Sequence, residues 1–413
     1  MSRLETFVKP KPKRWVRQLS GWANRFLILP HISKVKSIDF PDTDRQLIKD
    51  HVRLRTSTFL TPNHPKFFHD WMLDERVISW CAPNAASWAI NYVVNGGMQK
   101  FWLANNLIAM IAGKTEEAIA HSVAWANKGN AVLLHAEGKV GWHADHIAEL
   151  RPGAMTMALQ SLETSDVDEA YVVPLVWTFA FTKDMTAKLM LEYRFICTQL
   201  GIRGSDTVSD PAEGVFHIYK SLMYNELMRW NTKSIDAALY REGKLQLVGH
   251  LVEMLEGITG AAKHSSVHNV QKHAAAWLGD EAHKTHPERR AVTAALRSIK
   301  VHQNLGAFAF QKSMITQEDV EGHLKRLRAD AIGKGLFNTM LPIPCGPSKA
   351  YIRACKPIAV HDLVAHGVNA SVVGTKLLRE SMQERLDLLH NEVHKIHPPV
   401  LFKNPFYHEA GYA

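Results

Sequence analysis

One stretch constrains this chain more than any other. A β-prone run from Val52 to Leu60 is cut off by Pro62, Asn63 and Pro65, residues of turns and loops. The run is therefore expected to be a strand that delivers His64 to its C-terminal edge. In open α/β sheets that edge is where ligands sit. Asp70 follows six residues later, close enough to return and accept a hydrogen bond from one ring nitrogen of His64. A carboxylate in that role fixes the imidazole tautomer and leaves the other nitrogen free as a general base. The alternative reading is a helix-capping Asn beside a surface His.

Two further stretches lead to the same edge. Ala131 to His135 reads as a short buried strand followed by Glu137, Gly138 and Lys139. Two strands of one parallel sheet would bring Glu137 to His64 although they are far apart in the chain. Gly138 allows a ligand to approach the backbone, and Glu137 is placed to accept from an acceptor hydroxyl. Arg151-Pro152-Gly153 opens a helix through Leu162, whose first N–H groups, with Arg151, suit a phosphate. Tyr171 to Thr178 is expected to be another strand despite Pro174.

In this order the three stretches resemble the phospholipid/glycerol acyltransferase superfamily. Its signatures are N-H-x-x-x-x-D, a strand ending in P-E-G, a basic-x-G-A helix start, and a strand carrying V-P. The resemblance covers about Val52 to Thr178. It extends to Ser348–Ile358, an alternating segment ending in Lys356-Pro357-Ile358 where the family closes in G-x-P-I. It implies an O-acyltransferase that uses acyl-CoA or acyl carrier protein as cosubstrate, with no resident cofactor or metal, and a lysophospholipid-like or glycerolipid acceptor. The catalytic residues would be His64 and Asp70. Asn63, Glu137, Gly138, Lys139, Arg151 and Gly153 would bind substrate.

The sequence departs from the family in three places. Five residues, not four, separate His64 from Asp70; His69 with Asp74 restores four but loses the preceding Asn and the strand exit. Lys139 stands nearest to the arginine that the family carries after E-G. Between Asn95 and Gly113 the only basic residue is Lys100, which points away from a simple glycerol phosphate acceptor. The same His-Asp pair acting on water would make a lipid hydrolase or thioesterase. A non-catalytic, basic membrane-binding protein is the third reading.

Charge and composition narrow the partners. The net charge of +9, with His neutral, fits an anionic membrane face, nucleic acid or a phosphate-bearing cosubstrate. No helix-turn-helix, RNP or zinc-finger pattern supports nucleic acid. No apolar run approaches eighteen residues, so no membrane span is expected. The start, Met1 to Glu5, has no compact apolar core, so no signal peptide is expected. Cys81, Cys197, Cys345 and Cys355 are scattered, as suits reduced thiols in a cytoplasm. Between Lys9 and Pro30, Trp15, Leu19, Trp22, Phe26 and Leu29 recur at helical spacing among Lys11, Lys13, Arg14, Arg17 and Arg25. That is the pattern of a helix lying in a membrane interface or of one packed on its own domain, with Pro30 as its stop.

The expected fold is α/β, a mostly parallel central sheet flanked by helices, with a large helical insertion before the last strand. Residues 1–50 form a basic amphipathic segment, 51–184 and 341–398 the α/β domain, 185–340 the helical insertion and 399–413 a tail. Within the insertion, apolar periodicity near 3.6 marks helices, and Thr316 to Asp319 has capping-box spacing. The loop Gly141–His146 is expected to be a lid.

Overall fold

A computed structural model of the protein describes residues 6–66, 69–91, 93–94, 96–111, 114–141, 145–164, 167–230, 240–303, 311–339, 341 and 343–409. The strands in chain order are β1 (Val35–Asp39), β2 (Thr56–Pro62), β3 (Ala86–Ile90), β4 (Leu107–Met110), β5 (Ala131–Leu133), β6 (Glu169–Phe181), β7 (Met314–Thr316), β8 (Ser348–Ala354), β9 (Ile358–Ala359) and β10 (Leu401–Lys403). The fold is α/β, and the chain divides into two compact units, residues 1–183 with 346–399 and residues 184–345 with 400–413.

The first unit is built on a sheet ordered β1-β8-β6-β2-β5-β3-β4, with β9 also on β6. Every neighbouring pair on that path is parallel except β6 with β8. Strand β2 is central: every residue from Thr56 to Pro62 is buried, as a strand covered on both faces requires. Strand β6 is the long partner beside it, and its start is marked on the surface by ion pairs from Arg53 to Glu169 and Arg55 to Asp168. The helix Ala370–Ile396 buries Leu378, Met382, Leu386, Leu389 and Val393, whose spacing keeps them on one stripe facing the core.

Pro174 sits inside β6, opposite Thr61 of β2. Its carbonyl accepts from Cys355 N–H at 2.9 Å. Since N and C=O of one strand residue point the same way, its nitrogen faces the break between β8 and β9. No ladder bond is lost there, so a proline is tolerated in an interior strand.

Several elements differ from expectation. Strands β1, β3 and β4 are short, four or five residues each, and no sequence pattern sets them apart as strands; β3 follows the helix His69–Cys81 after the short loop 82–85, and β4 follows the helix Gln99–Ala104 after Asn105 and Asn106. The basic N-terminal segment is part of the first unit. It forms an α-helix, Arg14–Ala23, that continues as a π-helical turn, Asn24–Ile32, with Pro30 inside. The wider turn makes room for a proline ring that an α-turn would exclude, so Pro30 does not end the helix. Leu29 is buried with Val16, Ser20 and Asn24, while Trp15, Leu19, Trp22 and Phe26 stay exposed. Asn24 Nδ2–H donates to Met72 O at 2.8 Å and Arg17 Nη2–H to Ala85 O at 3.1 Å, tying this segment to the helix His69–Cys81 and the loop after it.

The second unit is helical, with the two-stranded antiparallel pair β7–β10. Its helix Gln317–Leu327 starts with the capping box of Thr316 and Asp319. Residues 400–409 are not a free tail: β10 pairs with β7, and Phe406 packs edge-on against Phe216, Tyr219 and Tyr240. Glu192 is held between Lys325 and Arg328 at 2.9 and 2.8 Å. Part of the expected helix from Ile235 lies outside the described residues, and the helix is seen from Tyr240 to Thr259. Among the described residues no helix is long and apolar enough to cross a membrane.

Candidate active site

Parallel pairing of β2 with β5 and β6 sets three chain exits side by side. The ladder continues past β5, where Leu134 N–H donates to Leu60 O at 3.0 Å. The residues after β2 and β5 therefore emerge at one edge, and the sequence puts His64 on one and Glu137 on the other.

His64 is held by its backbone from both sides. Its N–H donates to Glu137 Oε1 at 2.7 Å, and its carbonyl accepts from Gly141 N–H at 2.7 Å. Its ring Nδ1 lies 2.8 Å from Asp70 Oδ2. The five-residue gap closes because the turn and helix start lock together: Lys66 N–H donates to Asp70 Oδ2 at 2.7 Å, and Asp70 N–H to Lys66 O at 3.1 Å. Trp177 Nε1–H, from β6, donates to Asp70 Oδ1 at 3.0 Å. The N–H groups of Lys66 and Trp177 both donate to Asp70, which suits its carboxylate form, and an ionised Asp70 puts the ring proton of neutral His64 on Nδ1. The Nε2 of His64 makes no hydrogen bond among the described residues, and 18 % of the side chain is exposed.

A second pair lies against the first. The ring of His135 stacks on that of His64, with centroids 4.0 Å apart and planes at 19°. Its Nε2 is 3.1 Å from Asp74 Oδ2 and its Nδ1 is 3.0 Å from Asn63 O. The edge of Trp177 meets it at 5.8 Å.

Burial and charge shift these groups in opposite directions. Burial depresses His64 well below the ordinary imidazole range, and the charge of His135 adds to the effect. Burial alone would lower His135 too, but Asp74, through charge and hydrogen bond, with Asp70 and Glu137 behind it, lifts it to about 9. Asp70 is pushed up by burial, opposed by His135 and by the N–H donors of Lys66 and Trp177. Asp74 and Glu137 are likewise raised by burial, against His135 and, for Glu137, the N–H groups of His64 and Ala148.

The expected site residues take distinct positions. His64 and Asp70 meet. Asn63 is spent on structure: its side chain donates to Trp177 O at 3.0 Å and accepts from Trp177 N–H at 2.9 Å, acting as an extra rung of the sheet. Glu137 is buried, with one oxygen on His64 N–H and the other on Ala148 N–H at 3.2 Å, so it clamps the loop and does not face an acceptor hydroxyl. Gly138 has φ +66° and its N–H donates to His135 O at 3.0 Å, so that amide is already engaged within the loop. A side chain at Gly138 would meet Arg151, whose Nε lies 2.7 Å from where a Cβ would stand. Arg151 and Lys139 are both exposed, and Arg151 N–H donates to Ala136 O at 2.8 Å, anchoring this cation at the β5 exit. Gly153 begins the helix Gly153–Leu162, with open space where its Cβ would be. Residues 142–144 of the expected lid lie outside the described residues.

His69 with Asp74 is not the pair that forms, because Asp74 turns to His135. His135 and Trp177 are not among the expected site residues, and Asp74 enters there only as the partner of His69 in the alternative register. Their one sequence signal is position: His135 precedes Ala136-Glu137-Gly138, Asp74 is one helical turn beyond Asp70, and Trp177 lies three residues past Pro174. The chain matches no protein-family model, and no curated protein matches it.

Proposed function

We propose that this protein is an O-acyltransferase that moves a fatty acyl group from an acyl thioester, acyl-CoA or acyl carrier protein, to a hydroxyl of a lipid acceptor. The observation that carries this reading is the 2.8 Å contact of His64 Nδ1 with Asp70, which leaves Nε2 unengaged at the C-terminal edge of β2. In the reaction, His64 Nε2 takes the proton of the acceptor hydroxyl. The oxygen attacks the thioester carbonyl, the C–O bond forms and the C–S bond breaks. The thiolate leaves with the proton that His64 then returns. Lys139 and Arg151 offer their charges to a phosphate of donor or acceptor.

The reading places the protein in lipid metabolism, in the cytoplasm or on the inner face of a membrane. In support, Trp15 and Trp22 are 64 % and 54 % exposed on one side of the N-terminal helix, with Lys11, Lys13, Arg14 and Arg25 exposed around them.

The test is transfer from labelled acyl-CoA to a total lipid extract in anionic vesicles, with wild type, His64→Ala and His69→Ala. Loss of the base is expected to lower transfer by about 10²–10⁴-fold. Loss with His69→Ala alone would mean that the wrong imidazole has been assigned. Release of free fatty acid that is indifferent to acceptor would make the protein a thioesterase. Omission of anionic lipid is expected to weaken vesicle binding; unchanged binding would reject the electrostatic part of the membrane contact.

A further inference from the structure

We propose that His135 is a fixed imidazolium, held in its charged form by Asp74 and the Asn63 carbonyl, that keeps the stacked His64 neutral and ready to accept a proton. Both ring nitrogens of His135 face oxygens: the Asn63 carbonyl at 3.0 Å, which only accepts, and Asp74 Oδ2 at 3.1 Å, which only accepts when Asp74 is ionised. A neutral ring would turn a lone pair toward one of those oxygens, whereas the doubly protonated ring donates to both. His64 has one such acceptor, Asp70, and its other nitrogen is unengaged among the described residues.

The stacking makes this charge consequential. With ring centroids 4.0 Å apart, a second positive charge on His64 would sit face to face with the first, inside a site largely closed to water. The charges facing His135 are Asp74 and Asp70 from the helix His69–Cys81, Glu137 from the loop after β5, and His64 itself; β6 contributes the uncharged edge of Trp177. Those facing His64 are Asp70 and His135 at its ring and Glu137 at its N–H. Arg379, from the helix Ala370–Ile396, acts on Glu137. His135 touches no reacting atom in this scheme and is a positioning residue. It also tethers Asn63, the residue before His64, so loss of the ring affects placement as well as charge.

The role of His64 in this inference rests on the acyl-transfer reading, but the charge on His135 does not. The test separates them. Nitrogen-15 histidine spectra of the whole wild-type protein are expected to show His135 protonated at both nitrogens at neutral pH, titrating near 9, and His64 neutral with its proton on Nδ1. A neutral His135 at neutral pH overturns the proposal, whatever the activity assays give. In His135→Gln, which keeps a donor but no charge, and in Asp74→Asn, the His64 titration and the acidic limb of the rate profile are both expected to move to higher pH. The activity of each variant relative to wild type should then fall by about tenfold or more between roughly pH 8 and pH 5. A uniform loss at all pH values, with the His64 titration unmoved, would reduce His135 to a packing residue. If the variants fail to fold, the wild-type spectra still decide. If the spectra hold and no acyl transfer is found, the imidazolium stands and the reaction assignment falls.

Discussion

Two histidine–aspartate pairs lie in contact here, and the same two residue types end up with opposite properties. In His64–Asp70 the carboxylate takes one ring nitrogen and the other is left without a partner among the described residues. In His135–Asp74 the carboxylate takes one nitrogen and a backbone carbonyl the other. Burial acts on both rings in the same direction. The difference is made by the neighbour of the second nitrogen and by the number of carboxylates in range: three act on His135. The direction in which a buried imidazole is shifted therefore depends on what its far side meets.

The largest effect on these pairs is expected at Asp70. Asp70→Asn presents an amide to His64 Nδ1 and no longer fixes the tautomer. Steady-state transfer is expected to fall by about 10²–10⁴-fold with little change in KM. Activity within a fewfold of wild type would mean that the pair is structural. A smaller loss is expected from Trp177→Phe, which deletes one donor to the Asp70 carboxylate. Hydrogen bonds to a charged group contribute about 1.5–3 kcal/mol, so chemical denaturation should report a loss of that order. The rate should follow as Asp70 is held less firmly in its ionised form. An unchanged midpoint would show that Asp70 does not depend on β6.

Glu137→Gln probes the clamp that both pairs share, and its effect on rate should be the smallest. One of the two N–H groups on Glu137, from His64 or Ala148, would face an amide NH₂ in the variant. Stability is expected to drop by about 1–3 kcal/mol, with KM for the acceptor unchanged because Glu137 does not reach it. A large rise in acceptor KM with no loss of stability would return Glu137 to the binding role that its sequence position implies.

Much of this was legible in the chain. The β-prone run before Pro62 and the short apolar run at Ala131 each had one physical meaning, a buried strand whose exit is marked by turn residues. Both became adjacent strands, and His64 met Asp70 because a turn and a helix start can only fold back within a few residues. The N-terminal helix and the helix Ala370–Ile396 were visible as stripes at helical spacing. Less legible were β3 and β4, since runs of four or five apolar residues beside a helix have no period of their own. The roles of Asn63 and Glu137 were not legible either. A polar side chain at a sheet edge reads the same whether it will face a ligand or satisfy a backbone group across the edge.

The sequence by itself determined β2, β5, β6 and β8, their order along the chain, and the local pairing of an imidazole with a carboxylate six residues away, because these depend on backbone sterics, hydrophobic period and short chain closure. Only the tertiary structure decided that Asp74 would leave its helical neighbourhood for His135, that His135 would stack on His64, and that Trp177 would reach Asp70 across 107 residues. Those contacts depend on which strands become neighbours and at what register. They also depend on burial, which obliges every polar group at the edge to find a partner, and no local pattern specifies which partner that is.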